Sequence, residues 1–177
     1  MPGQSNDSLT QANRMSTPNQ IAIEPARFEE GQALVIAGLG GRFTPATTHD
    51  IPALWQRLEP YIGRVVGQVG AYTYGVCCNA DGKGSFDYIA GVQVADAEVL
   101  PADFQQVELK PHRYAVFEHH GSLENLKATF QAIWNDWLPT SGERVAQAPE
   151  FERYGKDFDP FDRRSVMEIW LPLERRI

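Results

Sequence analysis

The sequence predicts an α+β domain in which a strand-helix-strand-strand repeat occurs twice and forms one antiparallel sheet, with two helices on one face and a central ligand cleft. Three observations predict it. Two apolar stripes at helical spacing stand out from a background of short alternating segments. Each stripe is flanked by strand candidates in the same succession, and turn residues fall where the strands must reverse.

The first stripe is Ile51, Leu54, Trp55, Leu58 and Ile62, which predicts a helix from about His49 to Tyr61, with Asp50 and Pro52 in its first turn and Gly63 at its end. The second is Leu123, Leu126, Phe130, Ile133, Trp134 and Trp137, a helix from Ser122 to about Trp137 with Ser122 as its cap and Pro139 and Gly142 as its stop. Ala33 to Leu39 reads as the strand before the first helix. Tyr72 to Cys78 and Phe86 to Val94 follow it, joined by the turn Asp81-Gly82-Lys83-Gly84. Phe104 to Leu109 and Tyr114 to His119 precede the second helix, and Phe151 to Tyr154 and Val166 to Leu173 follow it. The glycines at 38, 40 and 41 do not keep the spacing of a dinucleotide loop and read as a turn or bulge.

A length of 177 residues suits one domain, and 42% hydrophobic with 22% charged residues is an ordinary globular balance. Residues 1–20 are polar and almost devoid of apolar side chains. They read as a disordered leader before a folded domain at 21–177. A net charge of −7 repels a polyanion, so direct nucleic-acid binding is not expected. Cys77 and Cys78 are adjacent and point to opposite faces of a strand. With no apolar export segment at the start and no stretch long enough to span a bilayer, the expected location is the cytoplasm.

Five residues are candidates for a ligand site. Alternation in the last strand sets Met167, Ile169 and Leu171 on one face and Val166, Glu168 and Trp170 on the other, so a carboxylate sits beside an indole in a mostly apolar strand. Desolvating that carboxylate is costly without a partner or a ligand, although a half-solvated strand with Glu on its outer face fits the pattern equally well. Glu152 and Tyr154 share a face in the same way. A carboxylate next to an aromatic ring suits an ammonium or amidinium group, and a surface ion pair from Glu152 to an arginine such as Arg163 fits as well. Tyr74, with Tyr72 on the same side of its strand, completes the set; the tryptophans of the helical stripes read as core.

Catalytic and cofactor signatures are not expected from the remaining residues. His119 and His120 beside Glu118 are neighbours on a strand and point apart, and no helical histidine pair exists, so no metal is expected. There is no phosphate-binding loop, no nucleophile elbow and no motif that would activate either cysteine, so neither a cofactor nor a nucleophilic residue is expected.

Several segments, in order and spacing, resemble the GyrI-like small-molecule-binding family, the effector-binding domain of AraC-type regulators. They are Phe86 to Val94, Tyr114 to Gly121, Trp137 to Gly142, Pro149 to Tyr154 and Glu168 to Pro172, and the likeness covers about Ile23 to Leu173. The resemblance implies two repeats with a ligand cleft between them, with Glu168 as the acidic residue at the cleft centre and Glu152 as a second acidic position. It also implies a departure at Glu143, where many relatives carry an aromatic residue, which makes that rim more polar. A leader of about twenty residues cannot house a helix-turn-helix, so a stand-alone member is expected. The expected function is the binding of a cationic, amphipathic, aromatic molecule. Two alternatives come from relatives of this kind: hydrolysis of an electrophilic toxin with a cleft glutamate as general base, and a gyrase-inhibitor-like interaction with a protein.

Overall fold

In the computed structural model, which describes residues 22–95 and 99–177, eight strands form a single antiparallel sheet. The expected leader lies outside the described residues. The strands are β1 (Arg27–Gly31), β2 (Leu34–Phe43), β3 (Gln68–Cys78), β4 (Phe86–Val94), β5 (Gln105–Leu109), β6 (His112–His120), β7 (Glu150–Tyr154) and β8 (Val166–Leu173). Across the sheet they lie in the order β1-β6-β8-β7-β3-β4-β2-β5.

This order forces a curl. β1 and β2 are joined by residues 32–33 yet hold the first and seventh places, and a link of that length spans at most about 11 Å. β5 and β6, joined by residues 110–111, impose the same condition from the other end. The inside of the curl is filled by Ile36, Tyr74, Val76, Leu109, Tyr114, Val116, Phe151 and Trp170.

The outside carries the helices. α1 (Ile51–Leu58) packs Leu54 and Leu58 against Leu39, Phe43, Tyr88 and Ala90. The second helical stretch runs through α2 (Leu126–Ala132), a π-helical turn (Ile133–Trp137) and α3 (Leu138–Ser141), and covers Ala115, Phe117, Met167, Ile169 and Leu171. Register places both helices on one face: Leu39, Ala90, Gly75, Glu152, Ile169 and Phe117 are successive partners across six strands.

Local chemistry explains the element ends. The Ser122 hydroxyl accepts from the Glu124 N–H at 3.2 Å, as an N-cap should. Asp81 Oδ1 accepts from the N–H groups of Lys83 and Ser85, closing the β3–β4 turn around left-handed Gly82 and Gly84. The helical path does not stop at Pro139. The wide π turn precedes that residue, which then sits in the first turn of α3, where a missing N–H costs little, and the stretch ends at left-handed Gly142.

Two expectations are corrected. The glycines at 38, 40 and 41 form no turn but lie within β2, which runs on to Phe43; Gly38 faces Gly91 across the β2–β4 ladder, and a Cβ there would run into the Ala90 carbonyl oxygen. β1 was not among the expected strands. Its sequence Arg-Phe-Glu-Glu-Gly has little apolar alternation, and it exists because β6 offers it a free edge.

Candidate functional site

The centre of the helix-bearing face lies over β3 and β7, and Glu152 occupies it. Its side chain is buried, and its Oε2 accepts from the Tyr154 hydroxyl at 2.7 Å and the Tyr88 hydroxyl at 2.9 Å. The Trp55 indole N–H donates in turn to the Tyr88 oxygen at 3.0 Å, so a helix α1 side chain is tied to the carboxylate through one phenol. Gly75 stands directly opposite Glu152 on β3, and its lack of a Cβ leaves the space in which the Tyr88 hydroxyl meets the carboxylate. Burial pushes the Glu152 carboxyl above its ordinary range, and the two phenol hydrogen bonds offset this only in part.

Aromatic rings wall this centre. Trp55 meets Tyr154 edge-on with centroids 5.2 Å apart, and Tyr154 meets Phe158 at 4.9 Å. Phe158 also lines an open groove of about 700 Å³ at the rim of the sheet, together with Ala71, Tyr72, Gly155, Ser165 and Val166. The groove therefore does not contain the carboxylate; it reaches the site only at Phe158, two rings away from Glu152.

Glu150 and Cys77 are opposite partners on the same face. Burial raises the Cys77 thiol well above its usual range, and Glu152 and Glu150 add to the shift, so this thiol is a poor nucleophile.

Glu168 lies on the inner face. It is held by Arg153, whose Nη2 is 2.7 Å from Oε2, by Arg27, whose Nη1 is 2.9 Å from Oε1, and by the Trp170 indole N–H at 2.9 Å. Both guanidinium groups lie over the Trp170 ring, at 4.7 and 5.4 Å, and Arg153 also stacks on Tyr72 at 4.3 Å. Burial raises the Glu168 carboxyl, but the bonds from Arg27 and Trp170 and the two positive charges outweigh it and hold the group below its ordinary range.

The five expected residues are thus divided between the two faces. Glu152 and Tyr154 lie under the helices, whereas Glu168, Trp170 and Tyr74 lie inside the curl, with Tyr74 opposite Arg153 and Arg153 opposite Glu168. Glu152 makes phenol bonds in place of a surface ion pair with Arg163. Glu143 is buried and pairs with Arg113, at 2.9 Å, and with Arg176, so its polarity is met within the protein. His119 lies under the second helical stretch: its Nε2–H donates to the Ser122 carbonyl at 2.9 Å, which leaves Nδ1 of the neutral ring to accept from the Thr129 hydroxyl at 2.7 Å. His120, on the opposite face of the strand, is exposed and pairs with Glu118. Among the described residues no cluster of three or more His, Cys, Asp or Glu could hold a metal.

Tyr88, Trp55, Gly75, Phe158 and the arginines Arg27 and Arg153 escaped the sequence reading. Alternation in β4 sets Tyr88 on the face of Ala90, which was a usable signal; Trp55 looked like core, and no sequence feature placed Arg27 or Arg153 beside Glu168.

The GyrI-like small-molecule-binding domain model matches residues 25–174. The chain belongs to the GyrI-like family. Relatives of this GyrI-like domain include the transcriptional regulator BrlR of Pseudomonas aeruginosa, 29% identical over 84% of this chain and 55% of that protein. The probable transcriptional regulator YgiV of Escherichia coli O157:H7 is 43% identical over 37% of this chain and 42% of its own length. The chain thus spans about half the length of the curated relatives it matches. Among solved structures, SAV2435 bound to tetraphenylphosphonium has a TM-score of 0.69 at 21% identity, covering 84% of this chain and 93% of that one. The EcmrR–DNA complex has a TM-score of 0.62 at 14% identity, covering 85% and 57%. At these identities the structural likeness concerns the fold. Among the described residues no helix is long and apolar enough to cross a membrane.

Proposed function

We propose that this GyrI-like domain binds a small aromatic cation at the centre of its helix-bearing face, between two strand-helix-strand-strand halves that meet at the β3–β7 seam. Glu152 is the counter-ion, and Tyr154, Tyr88, Trp55 and Phe158 supply the rings. The observation that carries this reading is a buried carboxylate whose hydrogen-bond donors among the described residues are two neutral phenols, with no positive charge from those residues contributing to its environment. Such a group is costly to keep ionised and gains strongly from a desolvated cation, which the surrounding ring faces also attract. A solved structure of this fold holds tetraphenylphosphonium, an aromatic cation, which supports the ligand class.

Glu168, Trp170 and Tyr74 then belong to the scaffold. The Glu168 charge is already matched by two guanidinium groups, and a ligand cation would have to displace one of them. With a net charge of −7, contact with a nucleic acid is not assigned to this chain.

Titration with tetraphenylphosphonium tests the assignment. Glu152→Gln keeps the shape and removes the charge, so affinity should fall by about ten- to a hundred-fold, the span of one charge-assisted contact. Glu168→Gln should leave it within about three-fold. Loss in the second variant and none in the first would move the site to the inner face. The raised Glu152 carboxyl favours one further reading, general-base attack of water on an electrophilic ligand. Conversion of an aromatic epoxide to its diol by the native domain, and not by Glu152→Gln, would establish it.

A further inference from the structure

We propose that two copies of this chain pair about a two-fold axis at the groove beside β7 and β8, each placing Phe161 in the groove of the other. The groove, of about 700 Å³, lies between two segments outside the paired ladders. One is a bulge of β3: Gln68 pairs with Val94 and Thr73 with Val92, so residues 69–72 stand against Gln93 alone, beyond the Thr73–Tyr154 pair that ends the β3–β7 ladder. The other is the β7–β8 connection at residues 155–165. Tyr72 from the first segment and Phe158 and Val166 from the second give the groove an apolar lining, and Val69, Tyr72 and Val166 are exposed. Clustered exposed apolar side chains around a groove mark a surface that gains from being covered.

The β7–β8 connection is a stiff mount for one ring. Asp159 Oδ1 accepts from the Phe161 N–H at 2.9 Å, and Asp162 Oδ1 accepts from the Arg164 N–H at 2.8 Å. The Asp159 N–H donates to the Ser165 hydroxyl at 3.0 Å, and the Ser165 carbonyl accepts from the Gly121 N–H at 3.0 Å, which fastens the segment to the end of β6. Phe161 on this mount is 92% exposed, so in a single copy its apolar area stays in water. A ring whose backbone is already fixed loses little freedom on docking, which suits it as the anchor of a small interface. Because the segment that carries Phe161 also lines the groove, a two-fold axis beside it brings ring and groove together twice, the self-matching contact of a symmetric pair. Charge fits as well. Lys156 and Asp157 are adjacent at the groove, exposed and without an ion pair among the described residues, whereas Arg164 is already held by Asp162. Close to the axis, Lys156 of each copy meets Asp157 of the other.

Sedimentation equilibrium of the full chain at low salt, from about 5 to about 500 µM, reads the association, since a contact of this size holds in the micromolar range. The native chain should pass from monomer to dimer over that span. Phe161→Ser should stay monomeric throughout, with an unchanged melting temperature at the lowest concentration because the ring supports nothing within one copy. Lys156→Asp and Asp157→Lys should each weaken the dimer by about three- to ten-fold, since each sets like charges together across the axis, and an equimolar mixture of the two variants should associate more tightly than either alone. A rescue of that kind cannot come from damage to the fold. A native chain that stays monomeric, a dimer that Phe161→Ser leaves intact, or a mixture no tighter than its components overturns the proposal. So does a native chain that stays monomeric while Phe161→Ser loses tetraphenylphosphonium binding, which would make the groove part of a small-molecule site.

Discussion

The Tyr88 hydroxyl on β4 reaches the Glu152 carboxylate on β7 at 2.9 Å across the intervening strand β3, and the residue beneath that bridge is Gly75. A Cβ at position 75 would lie 2.6 Å from Glu152 Oε2 and closer still to the Tyr88 hydroxyl. The bridge and the glycine therefore require each other.

Gly75→Ala should push the phenol and carboxylate apart and destabilise the domain by about 1–3 kcal/mol, the usual effect of overfilling a packed site. It should also weaken tetraphenylphosphonium binding, because Glu152 loses its fixed position. Chemical denaturation and titration of the same preparation check both effects. Native values for both would show that the bridge is dispensable.

Glu168→Gln should destabilise by about 2 kcal/mol, since two half-buried guanidinium groups lose their counter-ion. Without those partners the sign would be opposite, because an unpaired carboxylate in an apolar strand opposes folding. The Glu168 carboxyl is held below its ordinary value of 4.5, so its stabilising contribution is complete above that pH and is lost as pH falls below it. The variant should accordingly lose less stability than the native domain between pH 5 and about pH 3, measured by urea midpoints.

Glu150 has the reverse sign. Its folded value of about 7 exceeds its ordinary 4.5, so the native state holds the proton more tightly, and stability declines as pH rises from 4.5 to about 7. Glu150→Gln should match the native protein near pH 4 and exceed it by about 1–3 kcal/mol at pH 8 without ligand. Parallel stability–pH curves for the two proteins would contradict this.

Glu143→Ala removes the counter-ion of Arg113 and Arg176 from a side chain only 2% exposed. Much of the effect arises from leaving the part-buried Arg113 unpaired, so a loss of about 2–4 kcal/mol is expected. Binding at Glu152 should be unaffected once the protein is folded. A calorimetric melt shows the first, and a ligand titration below the melting range shows the second.

Local patterning made much of the architecture legible. The apolar stripes around Leu54 and Ile133, the cap at Ser122 and the turn at Asp81 are short-range signals, and the chain obeys them. Strand alternation also placed Glu152 with Tyr154 and Glu168 with Trp170 correctly within each strand. It failed at the glycines of β2, where a usual turn signal reflects the close approach of Gly38 to Gly91, and at β1, whose polar residues are strand only because an edge was available.

The sequence by itself determined the α+β class, most of the strands, both helical segments and the acidic and aromatic residues worth watching, because period and capping depend on neighbours a few positions away. Only the tertiary structure decided which carboxylate is matched. Alternation assigns a side chain to a face of its own strand, but the relation between faces of different strands depends on pairing and register. Those bring Arg27, 141 positions earlier in the chain, onto Glu168, and Tyr88, 64 positions earlier, onto Glu152. A carboxylate with two arginines has its counter-charge within the fold, whereas one with two phenols has none among those partners, and that difference lies in the partners rather than in the glutamate.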